Sequence, residues 1–272
     1  MDLKAIKSKL TSLQSQRQGG GKKDMSLIIW KPTIGKHSVR IVPSAHDKSN
    51  PFKEMFIHYG IGNRTMVSLS NFGEKDPIVE FAKQLRQTSD KENWSMAKKL
   101  EPKMRVFAPV IVRGEEDKGV RLWEFGKQVY MELLSIAEDD DVGDYTDPVN
   151  GRDITIETTG PETNGTSFNQ SKVRVRTKTT PLSESADEVK KWLNEQPDPL
   201  SIFKKYSYDD MKASLLEWLN PEDSTGETQT ESAEETPKTS GSYKLDTSNT
   251  KVDKQVDDEF DELFKMNSKK GK

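Results

Sequence analysis

The chain contains no cysteine and only three histidines among its 272 residues. The missing cysteine excludes disulfide bonds and thiolate catalysis, and three histidines supply too few ligands for a structural zinc site. Long apolar runs are also missing. No stretch approaches the ~20 apolar residues of a membrane span, and no apolar segment near the N-terminus predicts a secretory signal. We therefore expect a soluble intracellular protein.

Sequence motifs of enzymes are equally scarce. There is no Walker-type phosphate loop, and Gly60-Ile61-Gly62 lacks the third glycine of a dinucleotide-binding loop. The acidic run 138–147 has enough charge to hold a divalent cation but lacks the spacing of a calcium loop, which favours a solvated loop. We expect no enzyme, and a nuclease using this loop is the weakest of the function classes considered.

The charge is distributed unevenly along the chain, although the net charge is only −3. Residues 1–23 carry six cationic side chains and one acidic side chain. Leu3, Ile6, Leu10 and Leu13 follow a helical spacing with a basic face, and three glycines then break the pattern at 19–21. The pattern alone fits a frayed leader and a partner-binding arm equally well.

The opposite end is acidic, with thirteen acidic residues and five lysines in 221–267. Residues 221–256 have almost no apolar content, which predicts a disordered linker. Apolar side chains then return among carboxylates, a pattern typical of a segment that mimics a polyanion or docks on a partner protein. The predicted partner-binding residues are Asp257, Asp258, Phe260, Asp261, Leu263 and Phe264.

Strand patterns dominate residues 26–180 and predict a mainly β fold, a small barrel or sandwich with added helices. The predicted strands are 26–30, 36–42, 55–59, 65–69, 103–112, 120–125, 154–158 and 172–177. Asp76-Pro77 predicts a capped helix that ends near Leu85, and Ser207 with Asp210 predicts a capping box. The other predicted helices are 127–137, 185–195 and 199–219.

Cations and aromatic residues alternate on several predicted strands. Lys103, Arg105 and Phe107 share one strand face, and Lys172, Arg174, Arg176 and Lys178 share another. Trp123 lies on a neighbouring strand. A groove for single-stranded nucleic acid needs cations along the phosphates and flat side chains under the bases. The alternative is solvated cations with core aromatics, and it is favoured for 172–178 taken alone, whereas the combined set favours binding.

The order of several short motifs resembles the single-stranded DNA-binding, or helix-destabilising, protein of T-even-like bacteriophages. The resemblance spans nearly the whole chain, including the closing helices and the acidic tail with its Phe/Leu cluster. The motifs are Ser38-Val39-Arg40-Ile41-Val42-Pro43-Ser44, His58 with Gly60 close after it, Trp123-Glu124-Phe125-Gly126-Lys127, and Gln170-Ser171-Lys172.

The resemblance implies three regions: a basic arm for cooperativity (1–23), an OB-fold core with a helical C-terminal buttress (24–220), and a disordered acidic tail (221–272). It implies a cooperative, sequence-nonspecific coat on single-stranded DNA in phage replication, recombination and repair. Partners would be neighbouring protomers and, through the tail, a helicase loader, a polymerase and a recombinase mediator, in the cytoplasm of an infected bacterium. The alternative is an adaptor whose barrel binds proteins.

Individual roles follow from the same resemblance. Arg40 resembles the arginine that contacts the DNA backbone, and Phe107, Trp123 and Phe168 resemble groove aromatics. Lys4, Lys7 and Lys9 would serve the cooperative arm. The full set of predicted DNA-binding residues is Arg40, Lys103, Arg105, Phe107, Trp123, Lys127, Phe168, Lys172, Arg174 and Arg176.

One departure from the family concerns metal. The phage prototype holds zinc with one histidine and three cysteines, and here His58 matches the histidine while every cysteine is missing. We therefore expect no zinc and no other cofactor, and we expect apolar packing to hold this region together.

Overall fold

The computed structural model describes residues 25–220, which form a mixed α/β fold with a large sheet. The predicted arm, with Lys4, Lys7 and Lys9, and the predicted tail lie outside the described residues. The chain divides into two compact units. Unit 1 contains the residues up to Lys53 together with Val106–Pro199, and unit 2 contains Glu54–Arg105 together with the residues from Leu200. The described residues of both units lie within the predicted core region 24–220.

The observed strands follow the predicted ones closely. They are β1 (Ile29–Trp30), β2 (Gly35–Ile41), β3 (Lys53–Ile61), β4 (Arg64–Val67), β5 (Lys103–Val112), β6 (Arg121–Phe125), β7 (Arg152–Thr159) and β8 (Gln170–Thr179). The clearest difference is at 26–30, where a helical turn replaces most of the predicted strand.

The helices are α1 (Met25–Ile28), α2 (Pro77–Gln87), α3 (Lys91–Leu100), α4 (Lys127–Ala137), α5 (Pro161–Asn164), α6 (Ala186–Asn194) and α7 (Tyr208–Leu219). Helix α3 has no counterpart in the prediction, because its sequence carries few apolar residues to show a helical period. None of the helices in 25–220 is both long and apolar enough to cross a membrane.

Unit 1 is built on a sheet with the strand order β1-β6-β5-β2-β7-β8. Strand β1 runs parallel to β6, and the remaining neighbours are antiparallel. One face of β2 and β7 places Val39, Ile41, Ile154 and Ile156 in the core. Helix α6 packs Trp192 against a small apolar cluster that includes Ile111. The alternate residues of β7 and β8 lie on the other face of the sheet, where polar side chains are exposed.

Unit 2 packs the β3–β4 hairpin with α2, α3 and α7 around one apolar core. The predicted glycine-rich turn is confirmed, because Gly62 has φ +56° and an added Cβ would lie 3.1 Å from the Ser214 carbonyl oxygen. Asp76 caps α2, and the Ser207–Asp210 capping box begins α7, both as predicted. Of the predicted closing helices, α6 belongs to unit 1 and α7 to unit 2.

Candidate nucleic-acid interface

The exposed side of β8 is cationic. Lys172, Arg174 and Arg176 are exposed, while the intervening Val173 and Val175 are half-buried. Strand alternation therefore places the three cations on one face, which we call the β8 face. Among residues 25–220, no acidic side chain forms an ion pair with these three cations. Their charge is available to an external anion.

The β8 face continues across β7 onto β2. Glu157 lies opposite Lys172 in the register and opposite Lys36 on its other side. The Lys36–Glu157 ion pair is long, at 3.7 Å, and exposed, so it contributes little. The Arg176 Nε donates to the Thr155 hydroxyl over 3.5 Å. Lys36 is not among the predicted DNA-binding residues. The alternation Lys36-His37-Ser38 on β2 could have indicated it.

An exposed aromatic ring precedes β8. Phe168 is 61% exposed and lies in the loop between α5 and β8. The loop backbone is held in place because the Phe168 carbonyl accepts hydrogen bonds from Asn164 Nδ2 (3.1 Å) and Thr166 Oγ1 (2.8 Å). The ring is therefore displayed by an ordered turn, as a base-stacking side chain requires.

Replacing Phe168 by alanine tests this ring. Because the side chain is exposed, we expect the melting temperature to stay within about 2 °C. Single-stranded DNA affinity should fall by about 1–3 kcal/mol, the contribution of one stacked base. Phe168→Tyr is the matched control, since it keeps the ring and should keep the affinity. Equal affinities for the alanine variant and the wild type, measured by fluorescence anisotropy, would remove Phe168 from the interface.

Arg40 does not lie on the surface. Its side chain is fully buried, its Nε donates to Asp153 (3.0 Å), and its Nη2 donates to the Thr180 carbonyl (2.9 Å). Arg113 donates to the same carboxylate and to the Leu182 carbonyl. Burial lowers the pKa of Arg40, although Asp153 opposes that shift. Arg40 therefore joins β2 to the end of β8 through hydrogen bonds inside the protein. A contact between Arg40 and a DNA phosphate was instead predicted from the sequence.

Phe107 and Trp123 are core residues in this structure, with 0% and 1% exposure. Trp123 packs edge-on against Trp30 with the centroids 6.2 Å apart. Residues Val106–Val112 of β5 are all buried, so both faces of this part of the strand are covered. Neither ring offers a face to a base, which corrects the prediction that both are groove aromatics.

The remaining predicted cations are divided between the units. Lys127 is exposed at the start of α4 in unit 1. Lys103 and Arg105 belong to unit 2, where the Arg105 Nε donates to the Tyr59 hydroxyl (3.3 Å). The predicted set is therefore not brought together on a single unit. Within unit 1, Lys172, Arg174 and Arg176 are exposed on β8, and Phe168 is exposed in the loop that precedes this strand.

The His58 side chain is buried and hydrogen-bonded at both ring nitrogens. Its Nδ1 lies 2.9 Å from the Leu100 carbonyl oxygen and its Nε2 lies 3.1 Å from Asp76 Oδ2. Both ring nitrogens therefore have hydrogen-bond partners within the protein. Among residues 25–220, no group of three His, Cys, Asp or Glu side chains is arranged to hold a metal ion.

An exposed row of cations beside an exposed ring is the surface chemistry of a nucleic-acid-binding protein. A family model described as gp32 DNA binding protein like matches residues 34–220. This match covers more than two thirds of the sequence, so the chain belongs to that family of DNA-binding proteins. Membership supports binding to single-stranded DNA, and the family is not known for catalysis. A comparison with curated protein sequences finds no match.

Proposed function

We propose that this protein is a non-enzymatic, sequence-tolerant coat on single-stranded DNA and that the β8 face with Phe168 is a principal contact. The observation that carries the proposal is the row of exposed cations on β8 beside the ordered loop of Phe168. Cations on alternate residues of an extended strand follow a phosphate backbone, and the ring stacks on a base of any identity. Family membership supports the same ligand.

We also propose finer assignments that rest on the resemblance. Unit 1 provides an OB-fold, the arm links neighbouring protomers, and the protein serves phage replication, recombination and repair in the infected cell. The acidic tail recruits replication and recombination proteins through Phe260, Leu263 and Phe264. Its acids steer the encounter with those proteins. No cofactor takes part in these roles.

A titration of the full chain with 5′-labelled oligo-dT, followed by anisotropy from 50 to 300 mM NaCl, tests this function. Each phosphate neutralised on a single strand contributes a slope of about −0.7 to log K against log salt. Four to five contacts on the β8 face and β2 therefore predict a slope near −3. Absence of binding at 50 mM NaCl would support the alternative adaptor, whose partners are proteins. The near-neutral charge of the core region 24–220 is the observation that favours that alternative.

Removing residues 221–272 should raise the affinity for single-stranded DNA at low salt. Thirteen acids in this segment compete with phosphate for the same cations at high local concentration. We expect a gain of about tenfold at 50 mM NaCl that shrinks at 300 mM, because salt screens the competition. The same anisotropy titration measures it. A truncated protein with unchanged affinity at both salt concentrations would show that the tail does not compete with DNA.

A further inference from the structure

The Asn164 side chain lies at the centre of the loop between β7 and β8. Its Nδ2 donates to the Thr159 carbonyl (3.2 Å) and to the Phe168 carbonyl (3.1 Å). Its Oδ1 accepts from the backbone N–H of Thr166 (2.9 Å) and from the Thr166 hydroxyl (2.7 Å). Both donors and both acceptor positions of the amide are therefore used inside the loop.

These partners fix the orientation of the amide. The Nδ2 side faces two carbonyl oxygens, which only accept, and the Oδ1 side faces a backbone N–H, which only donates. Turning the amide over would place acceptor against acceptor and donor against donor. A carboxylate of the same size would keep the bond from Thr166 but would direct an oxygen at the carbonyls of Thr159 and Phe168. The loop is thus matched to an asparagine at this position.

Asn164 also bridges the ends of the two strands. Thr159 is the last residue of β7 and pairs in register with Gln170, the first residue of β8. Phe168 precedes Gln170 by two residues, so the Nδ2 group ties the Phe168 backbone to the end of β7. A binding side chain is held in a productive position when neighbouring hydrogen bonds order the backbone that carries it.

We propose that Asn164 is the positioning residue of the single-stranded DNA site. It holds the Phe168 backbone so that the ring stands ready beside the β8 face, and its own half-buried amide is occupied by the loop. A loop that is ordered before DNA arrives avoids the entropy cost of ordering on binding, which raises the affinity. The inference rests on the proposed function, because it takes Phe168 as a stacking residue.

A double-mutant cycle with Phe168→Ala tests the proposal, using anisotropy with 5′-labelled oligo-dT at 50 mM NaCl. Asn164→Ala should weaken binding about fivefold when Phe168 is present, the lower end of the contribution of one stacked base. In the Phe168→Ala background the same substitution should change the affinity by less than about 1.5-fold, since the ring that it positions is missing. No loss in the first background, or equal losses in both, would overturn the proposal.

A matched pair of aspartates separates the hydrogen bonds from charge. Asn164→Asp removes the two Nδ2 donors and adds one negative charge. Asn169→Asp adds the same charge at an exposed position of the same loop. We expect Asn164→Asp to bind single-stranded DNA about threefold or more weakly than Asn169→Asp, because only the former loses hydrogen bonds that order the loop. Equal affinities would show that Asn164 matters only through local charge and would contradict a positioning role.

Amide hydrogen exchange without DNA makes failure of this inference distinguishable from failure of the proposed function. In Asn164→Ala the N–H of Thr166 loses its acceptor, so it should exchange about tenfold faster while the β7–β8 ladder keeps its rates. Unchanged exchange at Thr166, or faster exchange along the whole ladder, would refute local positioning. Absence of DNA binding by the wild type would instead refute the proposed function, and the exchange rates would still decide whether Asn164 orders the loop.

Discussion

Replacing Asp76 by alanine is expected to destabilise unit 2 by about 3–5 kcal/mol, the cost of removing one partner from a buried ion pair. The Asp76 carboxylate is buried and pairs with buried His58. Five hydrogen bonds converge on it, from His58 Nε2, Ser68 Oγ, and the backbone N–H groups of Leu69, Ile78 and Val79. Removing the carboxylate leaves the buried Nε2 of His58 and several buried donors without a partner.

Asp90→Ala provides the matched control for this experiment. Asp90 caps α3 as Asp76 caps α2, but it is exposed and accepts a single backbone hydrogen bond, from Glu92 (2.8 Å). We expect a loss of about 0.5–2 kcal/mol, which is typical of a helix cap. Amide hydrogen exchange in β3 and α2 measures both variants within the full chain. Equal losses for Asp76→Ala and Asp90→Ala would show that Asp76 acts only as a cap.

The free energy of unfolding of unit 2 should depend on pH through the Asp76 carboxylate. Burial raises the pKa of Asp76, but hydrogen bonding and charge from His58, with the Ser68 hydroxyl, outweigh it and hold the pKa below its ordinary value. Its contribution is therefore fully present above the unfolded pKa of about 3.9 and is lost as the pH falls through the folded pKa. We expect this acid-dependent loss in the wild type and not in Asp76→Ala.

The second large effect concerns the β8 face. The triple variant Lys172→Ala, Arg174→Ala and Arg176→Ala removes three phosphate contacts and should make the slope of log K against log salt less steep by about 2. If the variant and the wild type bind equally at 1 M salt, a slope difference of about 2 corresponds to about a 100-fold lower affinity of the variant for single-stranded DNA at 0.1 M salt. The three side chains are exposed, so the fold should persist. Anisotropy titrations at four salt concentrations measure both quantities.

A triple variant elsewhere in unit 1 separates local contact from total charge. Lys31, Lys48 and Lys118 are exposed cations outside the β8 face. Replacing all three by alanine changes the net charge by the same amount. We expect its salt slope to stay within about 0.5 of the wild-type value, since only contacts that release counterions from DNA enter the slope. Similar slopes for the two triple variants would show that charge acts at long range, without a contact on β8.

Local sequence patterns predicted the features that depend on neighbouring residues. The alternation from Lys172 to Arg176 placed three cations of β8 on one face, and Asp76-Pro77 predicted the start of α2. In each case the decisive interaction lies within about four residues, so strand period and cap chemistry determine it. The β3–β4 turn at Gly62 belongs to the same group.

Features that depend on long-range packing escaped prediction. Phe107 and Trp123 lie on strands that look half-exposed by composition, but neighbouring elements cover both of their faces. Arg40 follows a cationic pattern, yet its partner Asp153 lies 113 residues away in the sequence. The His58–Asp76 pair also joins separate segments, so the sequence shows a cap and a histidine without showing that they meet. The division into two units depends on the same long-range contacts.

Photocrosslinking is the most direct test of the claim that Phe168 and the β8 face contact single-stranded DNA. Oligo-dT with 5-iodouracil at every third position would be irradiated with the full chain at 50 mM NaCl, and the crosslinked peptides would be mapped by mass spectrometry. The predicted result is a dominant adduct within residues 165–178, centred on Phe168 and lost in Phe168→Ala. Adducts confined to other aromatic residues, such as exposed Trp94 of unit 2, with none between 165 and 178, would contradict it.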